Sequence, residues 1–410
     1  MKLVVFDPGL DSMAGHHYHL DLVLKEQAAI HGMEMVLYGF KGMDPAVEME
    51  FDARLIFDLH CYAHADRPHE LTVVNNRLVN NHTFQRNLCE GVGLTFQAND
   101  LIVMHTVLGN QMVGFYLWYR DLPEPKPRVC MILRFPPWFH LTREHHEVAV
   151  ALDRHALSLW TAFPSDRVMI AADNRGLAKF YGKLAGFEIP DLPIPIRYPH
   201  PGAGCRSAGS PGASGSPASS GLRPPHFVYL GEAREEKGIH LVHEALRRRL
   251  PELEGVRFTI QCGRPELLGD LLEQWRRELP EVDFIDRNLT EAEYLSLLAD
   301  ADSILVPYRP DIYDVRTSHV FLEAVGAAKP VMITAGTWMD LELSRLGHIG
   351  VKATVFSGDG VSDGLVALAS QWRTLADHAP AAAERCRALH NPQEFFRRLL
   401  GLFKEPAKTP

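Results

Sequence analysis

Short apolar runs recur along the chain, separated by longer amphipathic stretches, and their spacing reads as alternating strands and helices. In the first half the runs are LVVF (3–6), MVLY (35–38), ARLIF (53–57), LIVM (101–104), RVCMIL (128–133) and VMIAA (168–172). Runs of this length, each followed by a helix-length segment, predict βαβ units stacked into a parallel sheet. The rhythm stops between Tyr198 and Pro225, where PHPGAGCRSAGSPGASGSPASSGLRPP is almost all Gly, Ser, Pro and Ala and has no face to bury. It restarts with HFVYL (226–230), VRFTIQ (256–261), VDFI (282–285), SILVP (303–307), PVMIT (330–334) and VKATVF (351–356). The pattern predicts an α/β protein with two doubly wound sheets: one domain over 1–197, a flexible linker or insertion over 198–225, a second domain over 226–385, and a closing helix over 386–410. The length of 410 residues suits two cores of about 200 residues each.

Composition removes several classes of function. At 46% hydrophobic and 23% charged there is ample material for two cores. The formal charge of −9 argues against a nucleic-acid partner, because such proteins need a basic surface to displace phosphate counterions. The six cysteines are scattered without a C-x-x-C pair, so neither a disulfide framework nor a zinc site is expected, and a reducing cytoplasm is the simplest setting. The opening MKLVVF is too short for a signal-peptide core, and no run approaches the ~18 apolar residues of a spanning helix. The apolar, aromatic stretch Gln111–Tyr119 reads as a core helix, with docking on a lipid acceptor or membrane surface as the alternative.

Open sheets of this kind bind ligands beyond the C-terminal ends of their strands, so the residues following each run carry the candidate chemistry. After 226–230 comes Gly231-Glu232-Ala233-Arg234-Glu235-Glu236-Lys237-Gly238. Gly231 lets a ligand approach the backbone, and Arg234 with Lys237 offers two cations for phosphate, unless Glu232, Glu235 and Glu236 neutralise them locally. After 303–307, the stretch Tyr308–His319 leads into a helix with Phe321, Ala324, Val325 and Ala328 as its buried stripe. Ser318 or Thr317 is its natural N-cap, and the amides of 318–320, including His319, form an anion site at the positive end of the helix dipole. Glu323 follows one turn later, either to accept hydrogen bonds from ribose hydroxyls or merely to complement the dipole.

The pair G-x-x-R-x-x-K-G and, about 85 residues later, SHVFLEAVGAAKPV together resemble the retaining glycosyltransferases of family 4. The closing His390-Asn391-Pro392-Gln393-Glu394-Phe395-Phe396 is similar to the segment with which that family returns toward its N-terminal domain. The resemblance implies a GT-B fold, with two Rossmann-like domains facing each other across a cleft. It implies that Gly231, Arg234, Lys237, Ser318 and His319 hold the diphosphate of a nucleotide-sugar donor, and that Glu323 binds its ribose. The family's first glutamate, eight residues before the second, is replaced here by Val315, leaving Asp311, Asp314 or Arg316 to contact the donor sugar. Base contacts in this fold come from the loops carrying Arg264 and Asn288.

In the first half, the loop from Asp7 to His19 leads to a helix beginning near Leu20, with Gly15 and His16 facing the ligand side of the sheet. His16, His17 and His19, like His60 and His64, lack a carboxylate or cysteine at a recognisable ligand spacing, so no metal site is expected. His105 and Arg134 follow two strand runs. In the resembled family a histidine at the second of these positions contacts the donor sugar, whereas Arg134 here either steadies phosphate or acceptor or is tied up in a structural salt bridge. His105 reads as a strand-end histidine or a donor-sugar contact.

Charge stabilisation at the leaving diphosphate is the first requirement of sugar transfer, and two cations with a helix end supply it without a metal. The expected activity is transfer from a nucleotide sugar to a saccharide, lipid or small-molecule acceptor, with no cofactor or metal. Its rivals are a nucleotide-sugar isomerase of the same fold and a degenerate protein that binds nucleotide sugar or a partner without transfer. An NAD oxidoreductase is disfavoured because no G-x-G-x-x-G follows an early strand.

Overall fold

The computed structural model describes residues 1–13, 15–63, 70–139, 141–198 and 223–403. Most of the Gly/Ser/Pro-rich linker, together with His64, Cys205 and the last seven residues of the closing segment, lies outside the described residues. The chain divides into two compact units, Met1–Pro195 with Asn391–Pro410, and Ile196–His390.

The first unit is built on a six-stranded sheet of β1 (Lys2–Asp7), β2 (Glu34–Phe40), β3 (Arg54–Phe57), β4 (Leu101–Val107), β5 (Arg128–Leu133) and β6 (Val168–Ala172), in the order β3-β2-β1-β4-β5-β6. Every pairing is parallel, and each predicted apolar run of this half falls in a strand. β1, β4 and β5 are buried on both faces, which is why their sequences are continuous rather than alternating. On one face Leu3, Val5, Leu101 and Val103 pack against Leu20, Val23 and Leu24 of the helix Gly15–Ile30. The helix Pro392–Gly401 adds Phe395, Phe396 and Leu399 to this core.

The first helix starts at Gly15, five residues before the start expected at Leu20. No breaker follows Gly15, and the side chain of His17 is anchored to the sheet, so the histidine-rich run is drawn into the first helical turn. The stretch Gln111–Tyr119 supplies most of the helix Met112–Asp121, whose Met112, Phe115, Trp118 and Tyr119 are buried. It is a core helix, and Trp160 and Phe163 pack on it edge-on or tilted.

The second unit repeats the plan with β7 (His226–Tyr229), β8 (Arg257–Gln261), β9 (Asp283–Ile285), β10 (Ser303–Val306), β11 (Val331–Thr334) and β12 (Gly350–Ala353), in the order β12-β11-β10-β7-β8-β9. All pairings are again parallel. Both sheets thus have the strand order 3-2-1-4-5-6 of a Rossmann-like domain, with the reversal between first and fourth strands. The helix after β10, His319–Gly326, is shorter than the expected stripe: Phe321, Ala324 and Val325 are buried on it, but Ala328 lies beyond its end with a φ of 57°. Among the described residues no disulfide forms, and no helix is long and apolar enough to cross a membrane.

Candidate functional site

In the second unit the sheet reverses direction between β7 and β10, and the loops leaving these two strands meet. The register sets Tyr229, two residues before Gly231, opposite Leu305. Gly231 has a φ of 134°, and a Cβ there would lie 3.1 Å from Lys237 Nζ, so glycine is what lets the lysine fold back beneath the loop. The ammonium sits over the Tyr308 ring, 5.9 Å from its centroid. Tyr308 in turn hydrogen-bonds Ser318, the N-cap of the helix His319–Gly326, whose hydroxyl accepts from the Phe321 amide at 3.2 Å. Lys237 and the helix N-terminus therefore converge on one tyrosine.

The two cations of the loop are not equivalent. Arg234 is half-buried, with Nε 3.0 Å from Glu232 and Nη1 3.2 Å from Glu236, so the local neutralisation open in the sequence is realised for this residue. Glu235 is drawn away to Arg309 at 2.6 Å. Among the described residues Lys237 forms no ion pair. Burial pushes its ammonium down to about 8, and the Arg234 charge adds to this, with partial relief from Glu232 and Glu236. The loop therefore offers a half-buried cation to an anionic partner.

A pH dependence follows. Affinity for a nucleoside diphosphate is expected to fall as pH rises through about 8, by up to about tenfold per unit, because one proton is lost from Lys237. The lowered value also means that the unfolded chain binds more protons between about 8 and the usual 10.5, so stability without ligand rises with pH across that window. Calorimetric titrations at pH 7 and 9 check the first effect. A Lys237→Met variant with the same pH slope as the parent would remove the assignment.

Glu323 is half-buried one turn into the helix and accepts a hydrogen bond from the Tyr294 hydroxyl. Burial pushes its carboxyl upward. Val315 is half-buried, whereas Asp311 and Asp314 are exposed, and Asp314 accepts a hydrogen bond from the Val315 amide at 2.8 Å. Arg316 lies over the Tyr313 ring at 4.8 Å. His319 is the first residue of the helix and is half-buried.

Arg264 is exposed, with a φ of 58° and Nε 3.2 Å from Glu266. Asn288 is exposed beside it, its Oδ1 only 3.0 Å from where a Gly263 Cβ would stand. What joins these loops to the Gly231–Gly238 loop is Gln261, a buried residue that the sequence does not single out. Its Oε1 accepts from Gly231 N at 2.8 Å, and its Nε2 donates to Arg287 O at 2.8 Å. Tyr294, Tyr308 and Tyr313 were equally silent in the sequence, where single aromatics look like core.

The reversal point of the first unit lies between β1 and β4 and holds a buried polar cluster. His17 Nδ1 lies 2.8 Å from both oxygens of Asp7, and His105 Nε2 lies 2.9 Å from Asp21 and 3.3 Å from Asp7. His105 is fully enclosed, which takes it out of reach of a donor sugar and corrects that expectation. Burial pushes Asp21 up to about 8. The carboxylates of Asp21 and Asp7 raise His105 to about 9 against its own burial. Gly15 is exposed, and His16, half-buried, lies 3.1 Å from the Tyr62 hydroxyl. Arg134 is buried with Nε 3.4 Å from Asp173, so it is a salt-bridged residue rather than an open cation.

Beyond the ends of β4 and β5 a small recess, partly open to solvent, is lined by Asn76, Arg77, Leu108, Asn110, Phe139 and Tyr181, among others.

No protein-family model and no curated protein matches the chain. Among solved structures it is similar to a UDP-forming α,α-trehalose-phosphate synthase from Burkholderia vietnamiensis, with 12% identity over 100% of this chain and 98% of the other and a TM-score of 0.63. WaaG, a glycosyltransferase involved in lipopolysaccharide biosynthesis, is 14% identical over 98% of this chain and 100% of its own, with a TM-score of 0.61. An Escherichia coli trehalose-6-phosphate structure bound with UDP-2-fluoro glucose is 13% identical over 99% and 100%, with a TM-score of 0.64. The chain thus has the GT-B fold, two Rossmann-like domains, of these glycosyltransferase structures.

Proposed function

We propose that the protein transfers a sugar from a nucleoside-diphosphate sugar to an acceptor, with the second unit holding the donor. The observation that carries this reading is the convergence of Lys237, Arg234 and the N-terminus of the helix His319–Gly326 around Tyr308. Lys237 supplies a positive charge only partly offset by Glu232 and Glu236, the helix end supplies amides and dipole, and Glu323 stands one turn further where ribose hydroxyls would follow a bound diphosphate. These groups neutralise the leaving diphosphate without a divalent ion. Asp300 and Asp302, the D-x-D pair of this region, lie at the opposite end of β10 and are engaged by Arg257, His226 and Arg223. Retention of anomeric configuration rests on the family 4 resemblance. The acceptor belongs to the first unit, whose recess offers amide and guanidinium groups beside apolar ones. A cytoplasmic setting accords with this reading.

The replacement of the family's first glutamate by Val315 motivates a second reading, in which nucleotide sugar is bound but not transferred. Release of free nucleoside diphosphate on adding an acceptor from a saccharide and lipid panel separates the two: release supports transfer, and donor binding without release supports the second.

Glu323→Gln tests the ribose assignment. Affinity for a nucleoside diphosphate is expected to fall about tenfold, as for the loss of a charge-assisted hydrogen bond, while affinity for inorganic pyrophosphate stays unchanged. Equal losses for both ligands in calorimetry, or none, would count against it.

A further inference from the structure

The sheet register explains why four distant residues meet in the first unit. Leu3 pairs with Leu101 and Val5 with Val103, and the same offset sets Asp7 beside His105 at the ends of β1 and β4. These alternate positions face the helix Gly15–Ile30, where His17 and Asp21, four residues apart, lie on one side. The nearest donor atoms of Asp7, His17 and His105 all fall within 4.8 Å of one another, and Asp21 touches His105 at 2.9 Å. All four residues are more than nine-tenths buried.

We propose that Asp7, His17, His105 and Asp21 bind one divalent first-row transition cation of the zinc type, which locks the β1 loop and the first helix to β4. Three features go beyond proximity. First, His17 Nδ1 is 2.8 Å from each Asp7 oxygen; a single N–H can point at only one of them, whereas a cation near the bisector serves both. Second, the remaining ring nitrogens have hydroxyl partners, His17 Nε2 at 3.1 Å from Tyr62 and His105 Nδ1 at 3.1 Å from Thr106. Outer partners of this kind fix the tautomer and direction of metal-binding imidazoles, and the Gly9 amide does the same for Asp7 Oδ1 at 2.8 Å. Third, Asp21 brings a second fully buried carboxyl group within hydrogen-bond reach of Asp7, so two acidic groups crowd one dry pocket. In the deprotonated form that metal ligation requires, two carboxylates and two neutral imidazoles would balance one M²⁺, and imidazole with carboxylate suits zinc and its neighbours.

With Asp21 drawn in beside the three grouped ligands, the site would be closed by protein, as structural rather than catalytic metal sites are. It lies beneath Gly9, where a Cβ would come within 2.6 Å of both His17 and Cys61, so the loop is pressed onto the cluster. This inference concerns the first unit alone and stands independently of the proposed transfer reaction.

The test uses the full chain without an affinity tag, stripped with EDTA and dialysed. Added Zn²⁺ is expected to be retained at one equivalent by elemental analysis and to raise Tm by about 5 °C or more. Co²⁺ in its place is expected to give the visible absorption of a protein-ligated ion. Asp7→Asn and His17→Gln should each weaken Zn²⁺ binding by at least about 100-fold, while His19→Gln, an exposed residue of the same helix, leaves it unchanged. Retention of less than about 0.2 equivalents by the parent, no Tm shift, or equal losses in His17→Gln and His19→Gln overturns the proposal. If the ligand variants do not fold, the strip-and-reload result and the Co²⁺ spectrum of the parent decide it alone: one equivalent with visible bands supports the site, and their absence overturns it.

Discussion

Arg234→Ala is expected to weaken nucleoside-diphosphate binding by about 100-fold or more, with a matching loss of transfer. The effect exceeds the removal of one cation. Arg234 holds Glu232 at 3.0 Å and Glu236 at 3.2 Å. Without it both carboxylates are released beside Lys237, so that Glu232 and Glu236 face one ammonium while Glu235 stays with Arg309. The field at the phosphates then reverses from attractive to repulsive. Arg234→Lys is expected to recover little, because an ammonium cannot hold both carboxylates through a planar fork while still facing a ligand. Thermal shift and calorimetry against UDP, GDP and ADP measure this directly. A loss of less than about threefold in Arg234→Ala would show that the arginine serves the loop and not the ligand.

The largest expected effect on stability lies in the first unit. Arg77 donates to the buried carboxylate of Asp153 and, through Nη2, to Pro137 O at 3.0 Å. Asp153 is 1% exposed, and its only other hydrogen-bond partner among the described residues is the Tyr181 hydroxyl at 3.1 Å. Arg77→Ala leaves that charge buried and unpaired, at a cost of about 3–5 kcal/mol. Removing both members, in Arg77→Met with Asp153→Leu, is expected to recover much of the loss, since a buried ion pair contributes little over an apolar pair of similar volume. Urea unfolding of the three variants gives the comparison. A single-variant loss below about 1 kcal/mol would mean that water reaches Asp153 and the pair is not truly dry.

The strands were legible because each is a compact apolar run between turn residues. Their parallel pairing followed from the helical spacers between them. The loop proposed to hold phosphate stands out in the sequence too, since Gly231, Arg234 and Lys237 are close together and follow a strand. What could not be read was the outcome of competition between partners. Arg134 as an open cation and Arg134 as a salt bridge look the same until Asp173 is placed, and His105 as a sugar contact depends on whether Asp21 encloses it. The Asp7, His17, His105 and Asp21 cluster spans almost 100 positions and exists only through strand order, so no local spacing announces it. Gln261 and Tyr294 gave no signal because a lone polar group in an apolar strand, or a lone tyrosine in a helix, has no period to betray it.

Gln261 also has a bearing on redesign. One carboxamide holds the backbone of Gly231 with its oxygen and that of Arg287 with its nitrogen, so under the proposed function the parts facing the two ends of a nucleotide would share a single hinge pin. Grafting a foreign base-recognition loop at 286–289 would therefore disturb phosphate geometry as well. Any exchange of nucleotide preference in this scaffold has to carry residue 261 and both of its backbone partners across as one cassette.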